Sequence, residues 1–156
     1  MKDFDTTLKK NKANYVPLNP VSFLRKTAAT FPSKKSIIYN NRTYTWLETY
    51  CRCKRLASAL VLRGLEPGDT VGFVAMNTPE LYEAHFGVPM AGLILNAMNY
   101  RLDPKTLAFI IDHSETKLLV ADLEFLPVVE KALAMSHECP EIIVIEDIEA
   151  GFENTS

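Results

Sequence analysis

The sequence predicts an α/β fold: a doubly wound, largely parallel sheet with helices on both faces. Two observations predict it. Short apolar runs at 71–75, 93–95, 118–120 and 141–145 show no polar alternation, as expected of strands buried on both faces. Between them lie stretches with apolar residues at helical spacing, opened by a cap residue and a proline at Thr78-Pro79 and Asp103-Pro104, as Asn19-Pro20 opens another upstream. Strands alternating with helices in this way indicate βαβ units.

Each element follows in order. Residues 1–14 are polar and unpatterned, and read as a tail. Val21, Leu24, Ala28 and Phe31 mark a helix that Phe31-Pro32 ends. Ser36 to Tyr39 is a short strand, turned by Asn40-Asn41 into Arg42-Thr43-Tyr44. Thr45 with Glu48 three residues later is a capping box. The helix it opens is expected over 46–63, with Tyr50, Cys53, Ala57, Leu60 and Val61 inward and Gly64 as its left-handed stop. Arg52, Arg55 and Arg63 fall off that face, where a solvated surface is favoured over an anion site.

Pro67-Gly68-Asp69 turns the chain into the strand at 71–75. The helix after Thr78 carries Leu81, Ala84, His85, Val88 and Ala91, with Pro89 expected to kink it and Gly92 to close it. A strand at 93–95, a loop at 96–103, a helix bearing Leu107, Ile110 and Ile111, and a strand at 118–120 come next. A helix over Leu126, Val129, Ala132 and Leu133 precedes the last strand at 141–145. The expected organisation is a tail at 1–14, a partial α/β subdomain at 15–146 and an acidic tail at 147–156 that leads toward a downstream region.

Composition narrows the function. At 156 residues the chain is one domain or a large piece of one, long enough to bury a core. A net charge of −2 argues against a nucleic-acid surface, which needs concentrated Lys and Arg. No apolar stretch is long enough for a membrane span. The first residues hold no apolar h-region, so secretion is not expected. Cys51, Cys53 and Cys139 have no metal-ligand spacing and read as small buried side chains in a reducing, cytoplasmic compartment.

The six glycines form neither a GxGxxG fingerprint nor a GxxxxGK(S/T) loop, and no GxSxG elbow occurs. His85 reads as a core-edge histidine, or as one facing a ligand pocket. His113 ends a helix, where a cation meets the dipole favourably. Tyr44, Trp46 and Tyr50 cluster at a helix start as packing residues. The loop at 96–103 is the one singled out. It follows the carboxyl end of a parallel strand, where open α/β sheets bind ligands. There Asn99, Tyr100 and Arg101 supply an amide, an aromatic face and a fixed charge able to meet a nucleotide's phosphate. The alternative is that Arg101 pairs with a surface carboxylate and Tyr100 covers the loop.

Five successive motifs resemble the amino-terminal region of acyl-CoA synthetases, the AMP-binding, adenylate-forming ligases. Thr43-Tyr44-Thr45-Trp46-Leu47-Glu48 is similar to that family's TYxEL-type helix start. Leu65-Glu66-Pro67-Gly68-Asp69-Thr70-Val71 resembles its G-I/V-x-x-G-D-x-V turn, and Asn77-Thr78-Pro79-Glu80 its N-x-P-E motif. Gly87 through Gly92 resembles a G-x-x-x-x-G helix end, and Asn99-Tyr100-Arg101-Leu102 the N-x-R-L loop. The stretches Asn14-Tyr15-Val16-Pro17-Leu18 and His85 to Gly92 look most like a fatty-acid or medium-chain subgroup.

The resemblance implies an incomplete N-terminal subdomain of a ligase that joins a carboxylic, fatty acid to CoA through an acyl-adenylate, using ATP, CoA and Mg²⁺. It implies that Arg101 meets a CoA phosphate while Asn99 and Tyr100 wall the adenine. The family's Ser/Thr/Gly-rich phosphate loop and its catalytic lysine have no counterpart in these residues, so no catalytic residue is assigned, no metal ligand is expected, and tight cofactor binding by the fragment alone is not expected. Its partner would be the remainder of the ligase chain. The competing reading is a free-standing α/β interaction module, whose apolar open side favours a homodimer.

Overall fold

A computed structural model describes residues 18–146 together with Asn11, Tyr15 and Val16. The tails expected at 1–14 and 147–156 lie, Asn11 apart, outside the described residues. Helix α1 (Pro20–Thr30) comes first, with Asn19 Oδ1 accepting the Ser22 amide at 2.8 Å. Strands β1 (Lys35–Tyr39) and β2 (Arg42–Thr45) form an antiparallel hairpin about Asn40, whose φ is +48°. Helix α2 (Trp46–Leu62) opens on the expected capping box: the Thr45 amide donates to Glu48 Oε2 (2.7 Å) and the Glu48 amide to Thr45 Oγ1 (3.3 Å). Gly64, at φ +86°, follows its end.

The remaining elements are β3 (Thr70–Val74), α3 (Pro79–Met90), β4 (Ile94–Met98), α4 (Pro104–His113), β5 (Thr116–Asp122), a 3₁₀ turn (Leu123–Phe125), α5 (Leu126–Leu133) and β6 (Glu141–Ile145). The last four strands make one parallel sheet in the order β4-β3-β5-β6. Side chains alternate across it, and both faces are covered. Val71, Phe73, Leu118 and Val120 meet Leu60 of α2 and Ala84 and Val88 of α3. Val74, Met98, Leu119 and Ala121 meet Leu107 and Ile111 of α4 and Val129 and Ala132 of α5. The predicted fold class stands, with the hairpin as a separate two-stranded sheet.

Four expectations are corrected. In α2 the inner face is Thr49, Cys53, Ala57 and Leu60, while Val61 is 54% exposed. That face is set by α3, whose Gly87 approaches so closely that a Cβ there would stand 2.7 Å from Leu56 Cδ2. In α3 the buried set is Pro79, Glu83, Ala84, Gly87 and Val88, with His85 exposed. Of the three cysteines expected to be buried, Cys53 is buried under α3, whereas Cys51 and Cys139 are exposed. Finally, Asn96, Ala97 and Met98 belong to β4 and not to a loop, because they continue the parallel ladder opposite Gly72, Phe73 and Val74. Asn96 sits on an edge strand, where its amide donates to Ser114 Oγ at 3.0 Å.

Candidate ligand cleft at the sheet's carboxyl end

Neighbouring strands β3 and β4 send the chain to opposite faces of the sheet, β3 to α3 and β4 to α4. Such a divergence opens a crevice beyond the carboxyl ends of the strands. A cleft of about 420 Å³ lies there, lined by Ala75 and Asn77 after β3, His85 on α3, and Asn99, Tyr100 and Arg101 after β4. The structure thus brings together the three residues singled out in the sequence.

The loop is fixed from within. Asn99 Oδ1 accepts the Arg101 amide (2.9 Å), and the Leu102 amide donates to the Asn99 carbonyl (3.2 Å), giving a tight Asx-type turn. Asp103 then caps α4, its Oδ1 accepting the amides of Lys105 and Thr106. These bonds, with one from the Thr106 hydroxyl to Asp103 Oδ2, hold the Asp103 carboxyl below its ordinary pKa. Tyr100 is half-buried and stacks on Phe125 at 4.8 Å between centroids and 18° between planes. The Arg101 guanidinium carbon lies 5.5 Å from the Tyr100 centroid. Arg101 is exposed, and among the described residues no carboxylate lies within ion-pair distance of it. The surface-carboxylate alternative for Arg101 is therefore not the one found, whereas Tyr100 does cover the adjoining core.

A second cleft of about 620 Å³ adjoins the first through Asn77, Leu81 and His85. It separates Ile37, Ile38 and Tyr39 of the hairpin from Tyr82 and Phe86 of α3. His85 stands on the shared lip, with its Nδ1 donating to the Leu81 carbonyl at 2.8 Å. One ring nitrogen is thus satisfied, as expected, while the ring still borders both openings.

Two features escaped the sequence reading. Asp122, buried at the end of β5, accepts the Met76 amide through Oδ2 (2.6 Å) and so pins the loop between β3 and α3. A carboxylate at the end of a buried apolar strand was its only signal. The other is a charge ladder. Arg42 meets Glu80 at 3.0 Å, Glu80 lies 3.7 Å from Arg52, and Arg52 Nε donates to Glu83. The ladder ties the hairpin and α2 to α3, and Arg52 also rides 4.6 Å above the Tyr44 ring. Arg52 is therefore a half-buried tie and not part of a solvated face. Burial pushes the Glu83 carboxyl up from its ordinary pKa, against the hydrogen bond from Arg52. The neighbouring Cys53 thiol is pushed up to about 12, mainly by burial, and is correspondingly inert.

Among the described residues no three His, Cys, Asp or Glu converge on a point that would hold a metal ion. No helix among them is long and apolar enough to cross a membrane.

Comparison with known proteins gives the family. An acetate/butyrate–CoA ligase of Arabidopsis thaliana, described as peroxisomal, is 46% identical over 147 residues, covering 90% of this chain and 26% of the relative. An acetate–CoA ligase of Humulus lupulus is 44% identical over 144 residues, covering 88% of this chain and 25% of the relative. Among solved structures, a benzoate CoA ligase from Burkholderia xenovorans superposes with a TM-score of 0.77 at 25% identity, over 85% of this chain and 27% of that one. The chain therefore spans about a quarter of the length of the relatives it matches. The profile described as AMP-binding enzyme matches residues 24–155, and the chain belongs to that family.

Proposed function

We propose that this chain is the amino-terminal part of an ATP-dependent acyl-CoA synthetase. In the whole enzyme a carboxylic acid and ATP would give an acyl-adenylate and pyrophosphate. The acyl group would then pass to the thiol of CoA, releasing AMP. The observation that carries this reading is the family match over 24–155 joined to 46% identity with a CoA ligase.

The part assigned to these residues is one edge of the CoA site. Arg101 is a permanent cation held at the cleft by a tight turn, with no carboxylate among the described residues to neutralise it, which suits a phosphate of CoA. Asn99 and Tyr100 would border the adenine. One face of Tyr100 is already taken by Phe125, so its contribution is an edge or the opposite face, shared with Arg101. Transition-state charge at the α-phosphate needs donors aimed at it, and the remainder of the chain would supply them. Mg²⁺, which would neutralise the ATP phosphates, finds no ligand set among the described residues.

The acid is assigned to the fatty-acid class through the subgroup likeness at residues 14–18 and 85–92, and relatives named for acetate and butyrate favour its short-chain end. The three free thiols support a reducing compartment, which the cytoplasm provides. Peroxisomal relatives make that organelle the competing location, and imaging of the tagged full-length protein decides between the two.

Pyrophosphate release tests the reading. The full-length protein should release it in the presence of ATP and a short carboxylic acid, and the 156-residue piece should not. Turnover by the piece alone, or acid-independent release by the whole protein, contradicts the assignment.

A further inference from the structure

The charge of this chain is unevenly spread. Residues 6–47 contain eight Lys and Arg and no Asp or Glu, although the whole chain carries a net charge of −2. Part of this stretch forms α1 and the segment before it. On the outer side of α1, Val16, Leu18 and Phe23 line a shallow groove together with Arg25 and Lys26. Its apolar members are open to solvent: Val16 is 71% exposed, Leu18 86% and Phe23 56%. Inward, the same helix is anchored by Leu24 and Ala28, so Phe23, Arg25 and Lys26 are presented by a fixed element. Neither Arg25 nor Lys26 is in ion-pair contact with a carboxylate among the described residues. At the far end of α1, Lys34 lies 4.8 Å from the ring centre of Phe31, itself 46% exposed. Three members of the groove, Val16, Leu18 and Phe23, precede residue 24, where the AMP-binding profile begins to match.

Burying aliphatic and aromatic side chains while Arg and Lys heads stay in a polar layer is what a bilayer interface offers. Arg25 and Lys26, unpaired with any carboxylate among the described residues, add attraction to anionic headgroups. An acidic protein, a second copy or the remainder of the ligase chain could also cover Leu18 and Phe23, and vesicle binding separates these occupants from a bilayer. We propose that the outer face of α1, with Val16 and Leu18, is a peripheral docking surface for an anionic lipid bilayer. Docking through α1 requires nothing of the ligase chemistry, so the two assignments fail separately.

Vesicle co-sedimentation tests it, using phosphatidylcholine alone and phosphatidylcholine with about 30 mol% phosphatidylserine, at about 0.1 M salt. The full-length protein should bind the anionic vesicles and not the neutral ones. Binding by the 156-residue piece that the full-length protein lacks would overturn the proposal, since the rest of the enzyme would then cover the groove. R25E/K26E should weaken binding by about tenfold or more, since each cation near an anionic leaflet strengthens it about fivefold. Leu18→Ser with Phe23→Ser should weaken it as well, with all charges kept. Lys131→Glu, a single reversal at an exposed position of α5, should leave binding unchanged. Far-UV circular dichroism checks that each variant is folded. Equal binding to neutral vesicles, binding retained by R25E/K26E, or no binding at all overturns the proposal. Binding to poly-glutamate that the Leu18/Phe23 change does not alter would also overturn it, in favour of an acidic protein partner. So would a concentration-dependent dimer that the same change abolishes, since the groove would then be covered by a second copy.

Discussion

Among the described residues three arginines lie over tyrosine rings, and two of them, Arg52 and Arg101, end in opposite circumstances. Arg52 rides 4.6 Å above Tyr44 and is consumed by Glu83 and Glu80, between helices that bury the pair. Arg101 lies 5.5 Å from Tyr100, at the mouth of a cleft, with no carboxylate in reach among the described residues. The difference separates roles that a residue count would merge. A guanidinium matched by a buried carboxylate is a structural tie. One held by a rigid turn and left unmatched at the carboxyl end of a parallel sheet is available to an anion.

Breaking the first pair should produce the largest effect on stability. Arg52→Met leaves Glu83 buried without its donor, and should cost about 3 kcal/mol in urea unfolding. The cost should depend on pH. Burial already holds the Glu83 carboxyl above its ordinary pKa, and loss of the Arg52 hydrogen bond raises it further. A carboxyl raised in the folded state contributes stability while protonated, and that contribution is lost as pH rises through the folded pKa. The deficit should therefore be smaller near about pH 5 than near about pH 8. Adding Glu83→Gln to Arg52→Met should recover much of the loss at the higher pH. A pH-independent deficit would show that the ladder acts through shape and not through charge.

The second pair should respond through its ring and not its charge. Tyr100→Ala removes the stack on Phe125 and should cost about 2 kcal/mol, whereas Tyr100→Phe should cost under about 0.5 kcal/mol. Thermal or urea unfolding reads both. Arg101→Ala should give the smallest effect on stability, within about 0.5 kcal/mol of the parent in the same assay. A large loss there would make Arg101 structural and collapse the contrast with Arg52.

Local chemistry was the legible part of this fold. The caps at Asn19, Thr45, Thr78 and Asp103 all form as read, because each involves a side chain and an amide two or three residues apart. The strands were legible because both faces of the sheet are covered, which leaves no polar side to confuse the pattern. The Arg52–Glu83 tie joins residues 31 apart in sequence, and nothing local to either announces it. The length of β4 was misread at Asn96 for a related reason: a polar residue fits a strand when a neighbour such as Ser114 receives it. Asn99, Tyr100 and Arg101 line a cleft because they follow a parallel strand, a placement visible in the order of elements. The use of one Tyr100 face by Phe125 was not visible there, because that ring arrives from the far side of β5. The Asp122 pin on Met76 was hidden in the same way.

The most direct test of the central claim is the KM for CoA of Arg101→Ala in the full-length enzyme, measured beside acid-dependent ATP–pyrophosphate exchange. Loss of one charge-assisted contact to phosphate should raise the CoA KM about tenfold. Adenylation should continue at the parent rate, and Arg101→Lys should recover part of the CoA affinity. An unchanged CoA KM and thioester-forming rate in Arg101→Ala would contradict the assignment of this loop to CoA.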